Sequence, residues 1–217
     1  MATLPITSDP VTAGKRGSSS AKESLIATAV TEFASKGFSG ARVDEIAASA
    51  GVNKQLVYYY FESKQGLYLA ALEAVYAEIR EKEKSLSMGS LEPLDAMAQL
   101  IGFSFDYLAE HPEFIAILTD ENRNQGSHIL ASEKLQKMHS PFIEMLQATL
   151  ERGVAKGVFR GDFDAINLYI SIAGISYFFF SNNYTLSAIF GESLGSQGAL
   201  VKRRRHVIEF ALNALRP

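Results

Sequence analysis

The chain has 217 residues, of which 47% are hydrophobic, so it can bury a real core; its length suits a small domain joined to a larger one. It contains no cysteine, which excludes disulfides, cysteine nucleophiles and cysteine-ligated metals. No stretch approaches 18 uninterrupted apolar residues, so we expect no membrane span. The formal net charge is −3, but the basic excess is local: residues 15–64 hold seven basic and five acidic residues, against 14 and 18 from residue 65 onward. Such a local excess is compatible with nucleic-acid binding, and these features together predict a cytoplasmic protein.

The first 19 residues lack an apolar signal core and are predicted to form a disordered leader. A helix is predicted from the capping box "SAKE" at residues 20–23, with an apolar stripe of Leu25, Ala29 and Phe33. Gly37 is expected to end this helix.

Two short helices follow, from about Val43 to Ala50 and from about Lys54 to Phe61, and a long one from about Ser63 to Ser85. Gly51 provides the sharp turn between the short helices, because glycine adopts a positive φ without strain. Two short helices joined in this way are typical of a helix-turn-helix motif, which places a DNA-binding domain at residues 20–64.

The second helix of this motif, "NKQLVYYYF", is expected to have two faces. At 100° per residue, Val57, Phe61 and much of Tyr60 face the core. Lysine and glutamine can bond base edges and tyrosine hydroxyls can bond phosphates, so we predict DNA contacts on the other side. The predicted contacts there are Lys54, Gln55, Tyr58 and Tyr59.

Two further cations are predicted to meet the DNA backbone. Lys64 lies in the first turn of a helix, where a cation opposes the helix dipole unless an anion such as phosphate binds there. Arg42 lies just before the second helix and is expected to make a similar contact.

The run "ARVDEIAASAGVNKQLVYYYFESKQGLYLAAL", preceded by "IATAVTEFASKGF", resembles the DNA-binding domain of the TetR family of bacterial transcriptional regulators. The resemblance covers about residues 22–72. It implies an all-helical homodimer whose first three helices bind a palindromic operator and whose larger C-terminal part binds an effector. The DNA-contacting positions that it implies are Arg42, Lys54, Gln55, Leu56, Tyr58, Tyr60 and Lys64. Leu56 stands where the family often has threonine, and Ala41 and Arg42 stand where a capping threonine or serine is frequent.

The rest of the chain, residues 65–217, also has helical spacing, and we predict an all-α protein of about nine helices. The expected segments are 91–110, 112–124, 127–157 with a break at Pro141, 162–183 and 197–215. The resemblance assigns effector binding and dimerisation to this part of the chain.

A helical bundle rich in aromatic residues is suited to a small apolar or aromatic effector, and 17 of the 23 aromatic residues lie beyond residue 64. Aromatic stripes are also ordinary core, so polar residues among them are the better candidates. The predicted effector-site residues are Phe103, Tyr107, Asn122, Arg123, His139 and Tyr177.

The last two predicted helices resemble the pair that forms the family's dimer interface. The segment 162–183 is apolar on nearly every side, which is typical of burial all round. The predicted interface residues are Ile172, Ile175, Phe179, Val207, Ile208, Ala211 and Leu215.

The sequence therefore predicts a repressor that an effector releases from its operator, without a cofactor or a metal. An activator, or an effector-independent protein of the same fold, is the alternative. An enzyme is the third hypothesis, but no histidine or acidic set has the spacing of a metal motif, and there is no GxSxG or glycine-rich phosphate loop.

Overall fold

A computed structural model describes the backbone of residues 11–217 and the side chains of residues 20–139 and 141–217. Every regular element in this part of the chain is a helix, which confirms the all-α prediction. A 3₁₀ turn at Met88–Ser90 lies between α4 and α5. The helices are α1 (Val11–Gly40), α2 (Val43–Ser49), α3 (Lys54–Phe61), α4 (Lys64–Ser85), α5 (Pro93–Glu110), α6 (Pro112–Arg123), α7 (Ser127–Leu130), α8 (Glu133–Lys137), α9 (Ser140–Ala155), α10 (Ala165–Ser181), α11 (Asn183–Phe190) and α12 (Gln197–Leu215).

Helix α1 begins earlier than predicted. It begins at Val11 and runs through the expected start at Ser20, so residues 11–19 of the predicted leader belong to the helix. No proline occurs between residues 10 and 93 to interrupt it. The other ten leader residues lie outside the described part of the chain. Near its other end α1 kinks at Gly37, which has φ 68°, and the ring of Phe38 stacks on that of Phe33 at 6.4 Å between centroids.

The chain divides after Leu72 into two compact units. The sequence placed this boundary at residue 64, but the first turns of α4 belong to the first unit. Leu67 and Tyr68 are fully buried there, and the ring of Tyr68 meets that of Phe33 edge-on at 4.8 Å. The first unit therefore holds α1, α2, α3 and the beginning of α4.

The second unit is a helical bundle built mainly around α5, α9, α10 and α12. Its core includes Leu100, Phe105, Leu146, Ile172 and Val207. The predicted helix 127–157 is divided into α7, α8 and α9, and Pro141 lies in the first turn of α9, as a proline-marked break requires. The helices of the described residues are all too short or too polar to cross a membrane.

Candidate nucleic-acid interface and effector site

Helix α3 is held in place at its start and along one side. The Asn53 side chain accepts a hydrogen bond from the backbone N–H of Gln55 at 2.8 Å, which caps the helix as predicted. Gly51 has φ 68°, confirming its role in the turn from α2. Val57 is fully buried and Phe61 is 7% exposed, so these two residues anchor the helix to the core of the first unit.

The opposite side of α3 faces outward. Tyr59 is 76% exposed and Tyr58 is 47% exposed, whereas Tyr60 is half-buried. The tyrosine run therefore divides between core and surface as the helical angles predicted. Lys54 and Gln55 are also exposed, and Leu56 is half-buried between the two sides. The first unit thus presents a polar and aromatic surface on a short helix, although its contacts with DNA remain predictions.

The cations at this surface already have acidic partners. Lys54 Nζ forms an ion pair with Asp44, which raises the pKa of Lys54 and lowers that of Asp44 through their hydrogen bond. Arg42 lies 3.8 Å from Asp44 and 4.0 Å from Glu45, at the limit of an ion pair. All these groups are exposed, so DNA phosphates can replace the carboxylates at little cost.

Lys64 makes two contacts with its own chain, so it is not a freely solvated surface lysine. Its Nζ donates to the backbone carbonyl of Ser39 at 3.4 Å and lies 5.0 Å from the centre of the Phe38 ring. The Ser63 hydroxyl accepts from the N–H of Gly66 at 3.0 Å, so one donor at the start of α4 is already satisfied. Lys64 remains a predicted phosphate contact, positioned by Phe38.

Three of the six predicted effector-site residues belong to one aromatic cluster, in which Phe103 and Tyr107 connect to His139 through the rings of Phe114 and Tyr76. Asn122 and Arg123 are exposed at the end of α6, where the Asn122 amide bonds the Leu118 carbonyl of its own helix at 2.8 Å. Tyr107 is buried against the His111 ring at 4.2 Å, and burial raises the pKa of its phenol. Three others are half-buried: Phe103 packs on Tyr107, Tyr177 bonds Thr119, and His139 packs on Tyr76. Asn122 and Arg123 face solvent and stay predictions.

A charged pair that the sequence analysis missed lies near His139. Arg80 and Glu83, one turn apart on α4, are only 6% and 3% exposed. Arg80 Nη1 lies 2.7 Å from Glu83 Oε2. Yet Nε and Nη1 of Arg80 and Oε2 of Glu83 make no hydrogen bond with acceptable geometry to any described residue. The third guanidinium nitrogen donates to the Tyr169 hydroxyl at 3.4 Å, a long contact. Buried charges so incompletely satisfied are costly.

Aromatic rings and a cavity surround this pair. The Arg80 guanidinium carbon lies 4.9 Å from the centre of the Phe142 ring and 5.8 Å from that of Tyr169. Arg80 and Glu83 line a partly open cavity of about 50 Å³. Its other walls are Lys84, Met138, Pro141, Phe142 and Met145.

The pKa values of nearby groups follow from burial. Burial raises the pKa of Glu83 to about 7, although the positive charge of Arg80 opposes this shift. Burial likewise raises the pKa of Tyr76 to about 12. His139 has a lowered pKa because of burial and the neighbouring charge of Arg80. At neutral pH the guanidinium is therefore the dominant positive charge of a partly dry site.

The sequence held one signal for this site. The buried stripe of α4 runs through Leu72, Val75 and Ile79, and the same spacing continues to Glu83. The charge-rich run "EIREKEK" nevertheless looks like a solvated surface when periodicity is not followed to its end.

The predicted dimer residues require correction. Ile172, Phe179, Val207, Ala211 and Leu215 are all 5% exposed or less and belong to the core of their own chain. Only Ile175 and Ile208 are half-exposed. Because α10 is apolar all round, its sequence did not reveal which side the bundle would cover.

The apolar surface that remains open lies on other residues. Ile166, Ile170 and Phe178 of α10 are 55%, 58% and 59% exposed and follow one another at multiples of four residues, on one side of the helix. Gly174 continues this row and is also exposed. On α12, Phe210 is 57% exposed. An open row of large apolar side chains is typical of a protein–protein interface.

Comparison with known families places both units. Residues 25–71 match the family described as bacterial regulatory proteins, tetR family. Residues 93–210 match the family described as tetracyclin repressor-like, C-terminal domain. The two matches fall on the two units separately.

Individual proteins give the same result. The HTH-type transcriptional repressor NicS of Pseudomonas putida strain KT2440 is 34% identical over 195 residues, which cover 90% of this chain and 92% of that protein. The fatty acid degradation regulator FadR from Bacillus halodurans shares the fold with a TM-score of 0.70 at 19% identity, covering 97% of this chain and 99% of that one. The regulator FadR from Bacillus subtilis, solved with stearoyl-CoA, has a TM-score of 0.67 at 17% identity, covering 89% and 98%.

Proposed function

The chain belongs to the TetR family of bacterial transcriptional regulators, and we propose that it is a repressor that a small molecule releases from a palindromic operator. The observation that carries the proposal is the two-sided α3: Val57 and Phe61 anchor it while Lys54, Gln55 and Tyr59 are exposed. A cytoplasmic location and the absence of catalysis are part of the same proposal.

In this proposal α3 enters the major groove. Gln55 pairs with a base edge, and Lys54 leaves its ion pair with Asp44 to bind guanine or phosphate. The hydroxyls of the three tyrosines donate to phosphates, namely those of Tyr58, Tyr59 and Tyr60. Arg42 and Lys64 fix the position of the unit on the backbone, and Leu56 contacts an apolar base edge such as a thymine methyl. Two such helices in a homodimer meet half-sites about one helical turn, roughly 34–36 Å, apart.

We assign the dimer interface to the open row on α10, namely Ile166, Ile170 and Phe178, with Phe210 of α12. These side chains are exposed in the single chain, unlike most of the residues predicted from the sequence. Burying them between two copies removes the apolar surface from water, which favours association. A substitution of Ile170 by aspartate is expected to shift the dimer toward monomer in analytical ultracentrifugation, while Leu130→Asp, which changes an exposed apolar residue of α7, should leave the dimer intact.

The effector acts by preferring the conformation that does not fit the operator, since a ligand shifts an equilibrium only by its differential affinity. The cavity of about 50 Å³ beside Arg80 is too small for a molecule such as stearoyl-CoA, the ligand of the Bacillus subtilis protein.

The proposal is tested by selecting bound DNA from random sequence with the purified dimer and then measuring operator affinity. Lys54→Ala and Gln55→Ala should each weaken binding by about 1–3 kcal/mol, and Gln55→Ala should also relax the preference at one base pair. Lys202→Ala, which removes an exposed lysine of α12 in the other unit, is the matched control. Selection of no palindromic sequence, or equal binding by the Lys54 variant and the control, contradicts the proposal.

A further inference from the structure

We propose that Arg80 is the effector's anchor and that it binds the carboxylate of a small organic acid, which takes the place of Glu83 as its partner. The inference rests on the proposed function, because it names the ligand class of a regulator of this kind. It concerns residues that the sequence analysis did not identify.

The side chain of Arg80 is incompletely paired. Its side chain is 94% buried, yet two of its three nitrogens make no hydrogen bond to a described residue and the third makes only a long one. A guanidinium removed from water requires hydrogen-bond acceptors. Glu83 contacts the guanidinium without acceptable hydrogen-bond geometry. A better-aligned carboxylate can therefore form the charge-assisted hydrogen bonds that the Arg80–Glu83 pair lacks.

The charge and the shape of the site restrict the class of ligand. Arg80 supplies one positive charge among apolar walls, which favours a monoanion over a phosphate dianion. Its planar fork matches the two oxygens of a carboxylate, and the rings of Phe142 and Tyr169 lie within 6 Å of it. Lys84 at the cavity is the other cation and is exposed. The chemistry of the site therefore selects a carboxylate.

The size of the cavity limits the size of the ligand. A volume of about 50 Å³ holds a carboxylate with a short chain, whereas a cavity that takes benzene measures about 150 Å³. Met138 and Met145, two of the wall residues, have flexible side chains that can move to admit more atoms. We therefore expect a compact acid, with its upper size set by how far these methionines yield.

A carboxylate ligand that displaces Glu83 also changes the protonation state of Glu83. Glu83 would then lie beside a second negative charge in a buried site, and one of two such groups must take up a proton. The titratable or charged groups around Arg80 are Tyr76, Glu83 and Lys84 on α4, Tyr107 on α5, His139 at the start of α9 and Tyr169 on α10. The pKa of His139 is lowered, so it is neutral from about pH 7 upward and does not contribute the proton change there. Binding should therefore consume about one proton and weaken by up to tenfold per pH unit above pH 7.

The experiment is calorimetric titration of the full-length dimer with acetate and propionate, each compared with its neutral amide. We expect the acids to bind and the amides not to bind. Arg80→Met should weaken acid binding about tenfold or more, because it removes a charge-assisted hydrogen-bond donor. Arg205→Met, which removes an exposed arginine of α12, should have no effect. Equal binding of acids and amides, or a loss on changing Arg205 rather than Arg80, overturns the proposal and leaves water as the occupant of the cavity.

Glu83→Gln provides a second test that retains Arg80. It should bind the acids at least as tightly as the original chain, and its affinity should no longer fall between pH 7 and pH 8.5. Titration in two buffers of different ionisation enthalpy should show about one proton taken up by the original chain and none by this variant. Unchanged pH dependence in the variant contradicts the exchange of Glu83 for the ligand.

Operator binding separates this proposal from the proposed function. The acids should weaken operator affinity of the original chain and leave that of Arg80→Met unchanged. Acid binding that does not alter operator affinity overturns the effector role of Arg80. If the ligand-free protein does not bind an operator, the proposed function fails. The calorimetric measurement of acid binding does not depend on that result.

Discussion

The α3 surface and the Arg80 site each contain an ion pair on helices, but the two pairs differ in exposure. Lys54 and Asp44 have side chains about half exposed, at 48% and 52%, whereas those of Arg80 and Glu83 are 6% and 4% exposed. An exposed pair contributes little and exchanges partners readily, because water solvates both groups when they separate. A buried pair has lost that solvation, so its unmet hydrogen bonds remain a cost until a ligand supplies them.

The difference also separates two ways in which the chain recognises a partner. The first unit offers charges that water already satisfies, and specificity there depends on the geometry of a short helix against base edges. The second unit contains a buried cation, and the hydrogen bonds that this cation lacks determine which ligand the site binds. A surface of the first kind binds a large polyanion, and a site of the second kind selects one small anion.

The largest expected effect comes from breaking the buried pair. Arg80→Ala leaves Glu83 buried without its cation, and we expect a loss of about 3–5 kcal/mol in the free energy of unfolding at pH 8, measured in urea. Asp44→Asn, which breaks the exposed pair, should change stability far less, because water solvates both groups when they separate.

The control for Arg80→Ala is the double variant Arg80→Met with Glu83→Met. It replaces both charges by flexible apolar side chains and should recover most of the lost stability, because no uncompensated charge remains. A double variant as unstable as Arg80→Ala shows instead that packing around Arg80, and not its charge, maintains the unit.

A smaller effect is expected on the pH dependence of stability. The pKa of Glu83 in the folded chain is about 7, above its ordinary value of 4.5, so the folded state holds this proton more tightly than the unfolded state. Stability should therefore fall as pH rises from about 4.5 to 7 and remain lower above that range, by up to about 3 kcal/mol. Glu83→Gln should remove this component, whereas Glu81→Gln, an exposed change on the same helix, should retain it.

The difference between the original chain and Glu83→Gln is the quantity to measure, by urea unfolding at each pH. It cancels the opposite contribution of His139, whose lowered pKa makes protonation below about pH 6.5 destabilising. Parallel pH curves for the two proteins contradict the raised pKa of Glu83.

The two regions also differ in how far the sequence predicted them. The helix boundaries of α2 and α3, the Asn53 cap, the positive φ of Gly51 and the division of the tyrosines all follow from local spacing. Local rules suffice there because each residue's environment is set within one or two turns of its own helices.

The second unit depended on contacts between distant segments. Arg80 is buried against Phe142 and Tyr169, which lie 62 and 89 residues further along the chain. No local sequence pattern predicts contacts between segments so far apart. For the same reason α10, apolar on every side, gave no indication that Ile172 and Phe179 would face the core while Ile170 and Phe178 stayed open. Most of the helices were predicted, although α11 was not and the predicted segment 127–157 is divided into three, but the sides by which the helices meet were not predicted.

The smallest expected effect concerns Asp44 and DNA. Asp44→Asn frees Lys54 from its carboxylate partner and removes a negative charge from the surface that approaches phosphates. Operator binding should strengthen slightly at low salt, and the gain should shrink as salt rises, since screening weakens exposed charges. Fluorescence anisotropy at several salt concentrations measures this change. Asp162→Asn, which alters an exposed pair with Arg160 in the other unit, is the matched control and should change nothing. Weaker operator binding by Asp44→Asn would show that the carboxylate positions Lys54 for its contact, in which case the exposed pair is part of the recognition surface and not merely a partner that DNA replaces.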